Sequence, residues 1–80
     1  MGDAVIYVLT RFLPDGQEKA STAEHKHKVQ AVKEAARSHH DNTGTGRTEM
    51  DAVYEALMEA LPGTKVGPFS GYHYRIDMWI

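Results

Sequence analysis

The segment Tyr72-His73-Tyr74-Arg75-Ile76-Asp77-Met78-Trp79-Ile80 alternates without interruption, with Tyr72, Tyr74, Ile76, Met78 and Ile80 on one side and His73, Arg75, Asp77 and Trp79 on the other. A side-chain period of two marks a strand with one face in a core, and aromatic and β-branched residues favour the extended chain. Such a strand sets two requirements for the remaining residues. Other strands must pair with its backbone, and something apolar must cover its tyrosine and isoleucine side.

A pairing partner lies at the other end of the chain. Ala4-Val5-Ile6-Tyr7-Val8-Leu9-Thr10 is a second run of β-formers, closed by Leu13-Pro14-Asp15-Gly16, a turn with Pro at its second position. Ala4, Ile6, Val8 and Phe12 lie on one side and Val5, Tyr7 and Leu9 on the other. Apolar residues on both sides suit a central strand, or one whose second face meets a partner.

The cover comes from two helical patterns. Ser21 or Thr22 can cap a helix running to about residue 38, with His25, Val29, Val32, Ala36 and His39 as its inward stripe and Ala35 beside it. Lys26, Lys33 and Arg37 form its basic flank. Residues 38–47 are the most polar stretch of the chain and read as a loop. Thr48-Glu49-Met50-Asp51 then opens a second helix in the manner of a capping box, with Met50, Val53, Tyr54, Leu57 and Leu61 as its apolar stripe and Pro62-Gly63 as its stop. Asp51, Glu55 and Glu59 make an acidic ridge on its far side.

A short strand is expected at 64–66 within the turn-rich segment before Tyr72. The order β-α-α-β(-β) puts the first strand beside the C-terminal one, with both helices on one face of a small antiparallel or mixed sheet. The expected fold is one two-layer α+β domain over residues 1–80.

Composition narrows the function classes. The chain has 80 residues, 41% hydrophobic and 25% charged, with no cysteine and a net charge of −2. A chain this short buries only about 60–65% of the surface its unfolded form exposes. No disulfide can staple the thin core, so oligomerisation is expected, and thiol nucleophiles and cysteine-ligated zinc are excluded. No apolar run approaches the roughly 20 residues of a membrane helix, and Met1-Gly2-Asp3 has acid where a secretory signal carries base. A cytoplasmic protein without a membrane partner is expected. Six Lys/Arg face five acids in residues 1–40, but three face six in residues 41–80. A nucleic-acid footprint is therefore confined to the first half.

Three candidate surfaces emerge. Around Gly44, Thr45, Gly46, Arg47 and Thr48, successive N–H groups, the start of the second helix and a guanidinium suit a phosphate or carboxylate, though an ordinary helix N-cap has the same sequence. Lys26, Lys33 and Arg37 could contact nucleic-acid phosphates. The third is the sheet side away from the helices, where His73, Arg75 and Trp79 are expected beside Tyr7 and Leu9. Trp, Tyr and Arg are the residue types that carry binding hot spots.

No histidine pair stands at i, i+4, so no metal or other cofactor is assigned. Ser70-Gly71 lacks a nucleophile-elbow pattern, and the acidic ridge faces solvent, so no catalytic residue is assigned either. The expected function is a non-enzymatic interaction module of the accessory or inhibitor kind. It forms a homodimer or docks on a larger protein through the sheet face, or through an exposed edge of the first or C-terminal strand. A module for a phosphate-bearing small ligand at residues 44–48 is the alternative, and nucleic-acid binding the second alternative.

Overall fold

The computed structural model describes residues 4–80. Six elements follow in order: β1 (Ile6–Phe12), β2 (Glu18–Ala20), α1 (Lys28–Thr43), α2 (Arg47–Glu59), β3 (Lys65–Phe69) and β4 (Tyr72–Trp79). The strands form one antiparallel sheet in the order β2-β1-β4-β3, and both helices pack on one side of it. The two-layer α+β architecture, the central β1–β4 pair and the short strand near residue 65 are as the sequence predicts. β2 is additional, because a charged three-residue strand carries no hydrophobic period.

Register decides which residues meet the helices. Tyr7 pairs with Met78, Leu9 with Ile76 and Arg11 with Tyr74, so these side chains share one side of the sheet. Leu9, Tyr74 and Ile76 pack there against Ala31, Val32 and Ala35 of α1 and Val53 and Leu57 of α2. Small residues on α1 let its axis approach the sheet, and the branched residues of α2 fill the remaining space.

α1 spans 28–43 instead of the expected 22–38, and the shift has a cause at each end. Residues 21–25 line β1 beyond the end of β2: Ser21 N–H donates to the Leu9 carbonyl at 2.8 Å, and Tyr7 and His25 exchange both backbone bonds at 2.7 and 3.0 Å. A chain segment whose backbone is bonded to β1 cannot also coil into a helix. The helix therefore opens at Lys28, where the Gln30 side chain accepts from His27 N–H at 3.2 Å. At the other end the polar run 39–43 stays helical because His39 extends the inward stripe of Val32, Ala35 and Ala36. Gly44 then ends the helix at φ +67°, a left-handed conformation suited to glycine, with its N–H donating to the His40 carbonyl at 2.8 Å.

α2 starts at Arg47, close to its predicted start, and its acidic ridge of Asp51, Glu55 and Glu59 is exposed. Lys28 Nζ donates to the carbonyls of Met58 at 3.0 Å and Ala60 at 2.6 Å. A cation thereby satisfies orphan acceptors at the negative end of the helix and ties the start of α1 to the end of α2.

The sheet edges differ from expectation. Neither β1 nor β4 is an edge; β2 and β3 are. β2 is three exposed residues long, and β3 carries Lys65, Pro68 and an irregularity between Val66 and Phe69. Short length, charge, a missing N–H and a bulge all disfavour strand addition. At Gly67, φ is +131° and an added Cβ would stand 2.7 Å from the Tyr72 carbonyl oxygen, so the bulge needs glycine.

Candidate functional site: the open sheet face

The side of the sheet away from the helices is built in four rows by the strand register. Nearest the hairpin turns, Glu18 of β2, Phe12 of β1 and His73 of β4 lie side by side, followed by Ala20, Thr10, Arg75 and Lys65. Val8 beside Asp77 makes the third row, and Ile6 beside Trp79 the fourth. His73, Arg75 and Trp79 thus occupy the face expected of them. Tyr7 and Leu9 do not: they lie on the helix side, and Leu9 is only 1% exposed. Ile6, Val8, Thr10 and Phe12 take their place, because alternation fixes which residues share a side and pairing with Ile76 fixes which side that is.

The two ends of this face are covered differently. Phe12 is buried although no helix lies above it, because Lys65 Nζ sits 4.4 Å and Arg75 Cζ 5.3 Å from its ring centre. Their aliphatic stems and cation–π attraction shield the ring. Arg75 Nε also donates to Asp77 Oδ2 at 2.9 Å. At the opposite end no long side chain among the described residues plays that role, and Trp79 is 58% exposed.

Further exposed apolar residues lie on the helix side of β4 and in the turn after α2. Gly63 N–H donates to the Ile76 carbonyl at 2.8 Å, drawing the turn after α2 alongside β4. Leu61 stands two residues before that contact and Met78 two residues after it, and both are exposed, as are Met58 and Ile80.

A second constellation, inside the molecule, went unmarked by the sequence motifs. His39 is fully buried against the edges of Phe69, Tyr72 and Tyr74. Its Nδ1 lies 2.5 Å from Tyr74 Oη, and its Nε2 lies 3.4 Å from Glu49 Oε1 without a hydrogen bond of good geometry. With the Tyr74 hydroxyl donating to Nδ1, the imidazole carries its hydrogen on Nε2, facing the carboxylate. Burial pushes the Tyr74 phenol well above its usual range, which keeps its hydroxyl protonated.

Glu49 accepts from Ser70 Oγ at 2.8 and 3.0 Å. That bond, ahead of His39 and Thr45, holds its carboxyl below the ordinary range against the opposing effect of desolvation. The Ser70 hydroxyl proton thus points to a weakly basic carboxylate, with the imidazole beyond it. The arrangement clamps the β3–β4 turn to the start of α2; it does not place a base on a serine nucleophile. The signal in the sequence was His39 on an inward helical stripe, opposite a strand with three aromatic residues.

The remaining candidates lie apart from both places. Around residues 44–48, Gly44 N–H is used by His40, Thr45 N–H donates to Thr43 Oγ1 at 3.2 Å, and the Thr45 carbonyl meets His40 Nδ1 at 2.7 Å. Gly46 is the N-cap of α2, and Arg47 and Thr48 are its first, exposed residues. Lys33 and Arg37 line a groove of about 960 Å³ between α1 and α2, shared with His25, Asp51 and Tyr54. Lys26 falls in the connection before α1, so the continuous basic flank expected from a longer helix is not formed. Among the described residues no three His, Asp or Glu side chains converge as metal ligands, and no helix is long and apolar enough to cross a membrane. No family model, curated protein or solved structure matches the chain.

Proposed function

We propose that the chain is a binding module that associates with a second copy of itself through the open sheet face. The observation that carries this reading is Trp79, 58% exposed at the uncovered end of the face beside Ile6 and the third-row Val8. Tryptophan is among the residues that dominate interface energetics, and partial exposure in the single chain leaves most of its burial still to be gained.

Charge favours a second copy over nucleic acid. Lys65 and Arg75 on this face are matched by Glu18 and Asp77, so it has no net formal charge with histidine neutral. A phosphate backbone calls for a positive surface. Blunted edges at β2 and β3 favour face-to-face docking over sheet extension. In plan the four strands cover roughly 360 Å², given ~4.8 Å between strands and ~3.3 Å per residue.

Sedimentation equilibrium over a concentration series tests the reading. The expected result is a mass that rises from monomer to dimer, with Trp79→Ser raising the dissociation constant at least about thirtyfold. A chain that stays monomeric at millimolar concentration, or a Trp79→Ser variant that associates as well as the parent, contradicts it.

A further inference from the structure

The four rows of the open face also select an orientation. Resting on the self-association proposed above, we infer that the two copies meet about a two-fold axis running along the strands. β1 of one copy then lies over β4 of the other, and Glu18 of each copy meets Lys65 of its partner.

With the two sheets aligned, two in-plane axes bring sheet face against sheet face with closed symmetry. An axis along the strands keeps each row opposite the same row and exchanges β1 with β4 and β2 with β3. Ile6 of one copy then covers Trp79 of the other, so the apolar end meets the apolar end. Phe12 lies over the second copy's His73.

At the margins β2 lies over β3. Glu18 and Lys65 are one row apart across this boundary, with sheets ~10 Å apart and rows ~6.7 Å apart. Their α-carbons are then separated by roughly 12 Å, within the combined reach of a glutamate and a lysine side chain. Both residues are exposed in the single chain, and neither has an ion-pair partner among the described residues, whereas Arg75 already holds Asp77. The two-fold makes the pair twice.

An axis across the strands gives a poorer fit. It reverses the row order, laying Trp79 on the second copy's His73, and it places β3 over β3, so that the two Lys65 side chains approach one another. Like charges in proximity weaken association, and the apolar end of one face no longer meets the apolar end of the other.

A charge swap separates the orientation from the association itself. Dimer dissociation constants are measured by sedimentation equilibrium for the parent, Lys65→Glu, Glu18→Lys and the double variant, with circular dichroism confirming the fold of each. The expected result is a rise of about tenfold or more for each single variant, and a return to within about threefold of the parent in the double. A double variant as weak as the two single effects combined overturns the orientation while leaving the dimer standing. A monomeric parent, or dimerisation indifferent to Trp79→Ser, overturns the association as well.

Discussion

β1 and β4 present their two sides to different surroundings. On one side Leu9, Tyr74 and Ile76 are sealed by α1 and α2. On the other, Thr10 and Phe12 are nearly as inaccessible, yet their cover consists of neighbouring side chains, with Lys65 and Arg75 laid over the Phe12 ring. That improvised cover reaches only half of the face. Where it stops, Trp79 is exposed, and so are Met78 and Leu61 around the end of the sheet. A helix layer completes one side within the chain, while the other side is completed at its basic end and left open at its apolar end.

The contrast can be broken most forcefully by truncation to alanine at neighbouring residues of β1. Leu9→Ala removes a buried side chain packed between sheet and helices, and should lower unfolding free energy by about 3 kcal/mol in urea titrations. Val8→Ala, one residue along on the open side, should cost the monomer about 1 kcal/mol or less. Equal losses at the two positions would mean that the open side is core as well.

The Tyr74–His39 contact should have the next largest effect. Tyr74→Phe leaves the buried His39 Nδ1 without its donor and should cost about 1–3 kcal/mol. It should also alter the alkaline limb of the stability curve. Burial raises the phenol's folded-state pKa, so the folded chain keeps its proton where the unfolded chain, titrating near pH 10, gives it up. Stability therefore falls as pH rises above about 10, and the Tyr74→Phe variant should lack that component. Urea midpoints between pH 9 and 11 report the difference.

Glu49 acts at the acid end with the opposite sign. Its carboxyl is lowered by the Ser70 hydrogen bond, so its contribution is present above the unfolded value of 4.5 and is lost as pH falls through the folded value. Glu49→Gln should flatten the acid limb of the thermal denaturation midpoint, and Ser70→Ala should do so in part. An unchanged limb in both would mean that the β3–β4 turn is not held by this clamp. The smallest effect belongs to Lys65→Ala, which uncovers part of Phe12 and should cost the monomer about 0.5–1 kcal/mol.

The same contrast explains what could be read from the sequence. β4 was legible because its two sides differ in polarity at every step, and the core stripe of α2 because Val53 and Leu57 stand out against Asp51, Glu55 and Glu59. β1 was legible as a strand but not as a side: Ile6, Val8 and Phe12 are as apolar as Tyr7 and Leu9, so only the pairing of Leu9 with Ile76 fixes which set meets the helices. β2 was hidden because Glu18, Lys19 and Ala20 join the sheet by backbone alone.

The limits of α1 were hidden for a related reason. Ser21 and His25 serve β1 through main-chain bonds, which no side-chain pattern records. His39-His40-Asp41-Asn42-Thr43 reads as a polar loop, yet His39 is buried among aromatic residues that lie some 30 positions later in the chain. Of the candidate site, residue types were visible and partners were not. His73, Arg75 and Trp79 could be placed on one face, but the ring beneath the cations and the clamp behind His39 depend on long-range register.

Trp79 is the only tryptophan in the chain, so its fluorescence reports on the open face alone. The most direct test follows its emission maximum and the mass-average molecular weight over the same concentration series. A blue shift with the same midpoint as the rise from monomer to dimer is the predicted result. Dimerisation with Trp79 emission unchanged, or no dimerisation at all, contradicts the assignment of this face as the surface completed by a second copy.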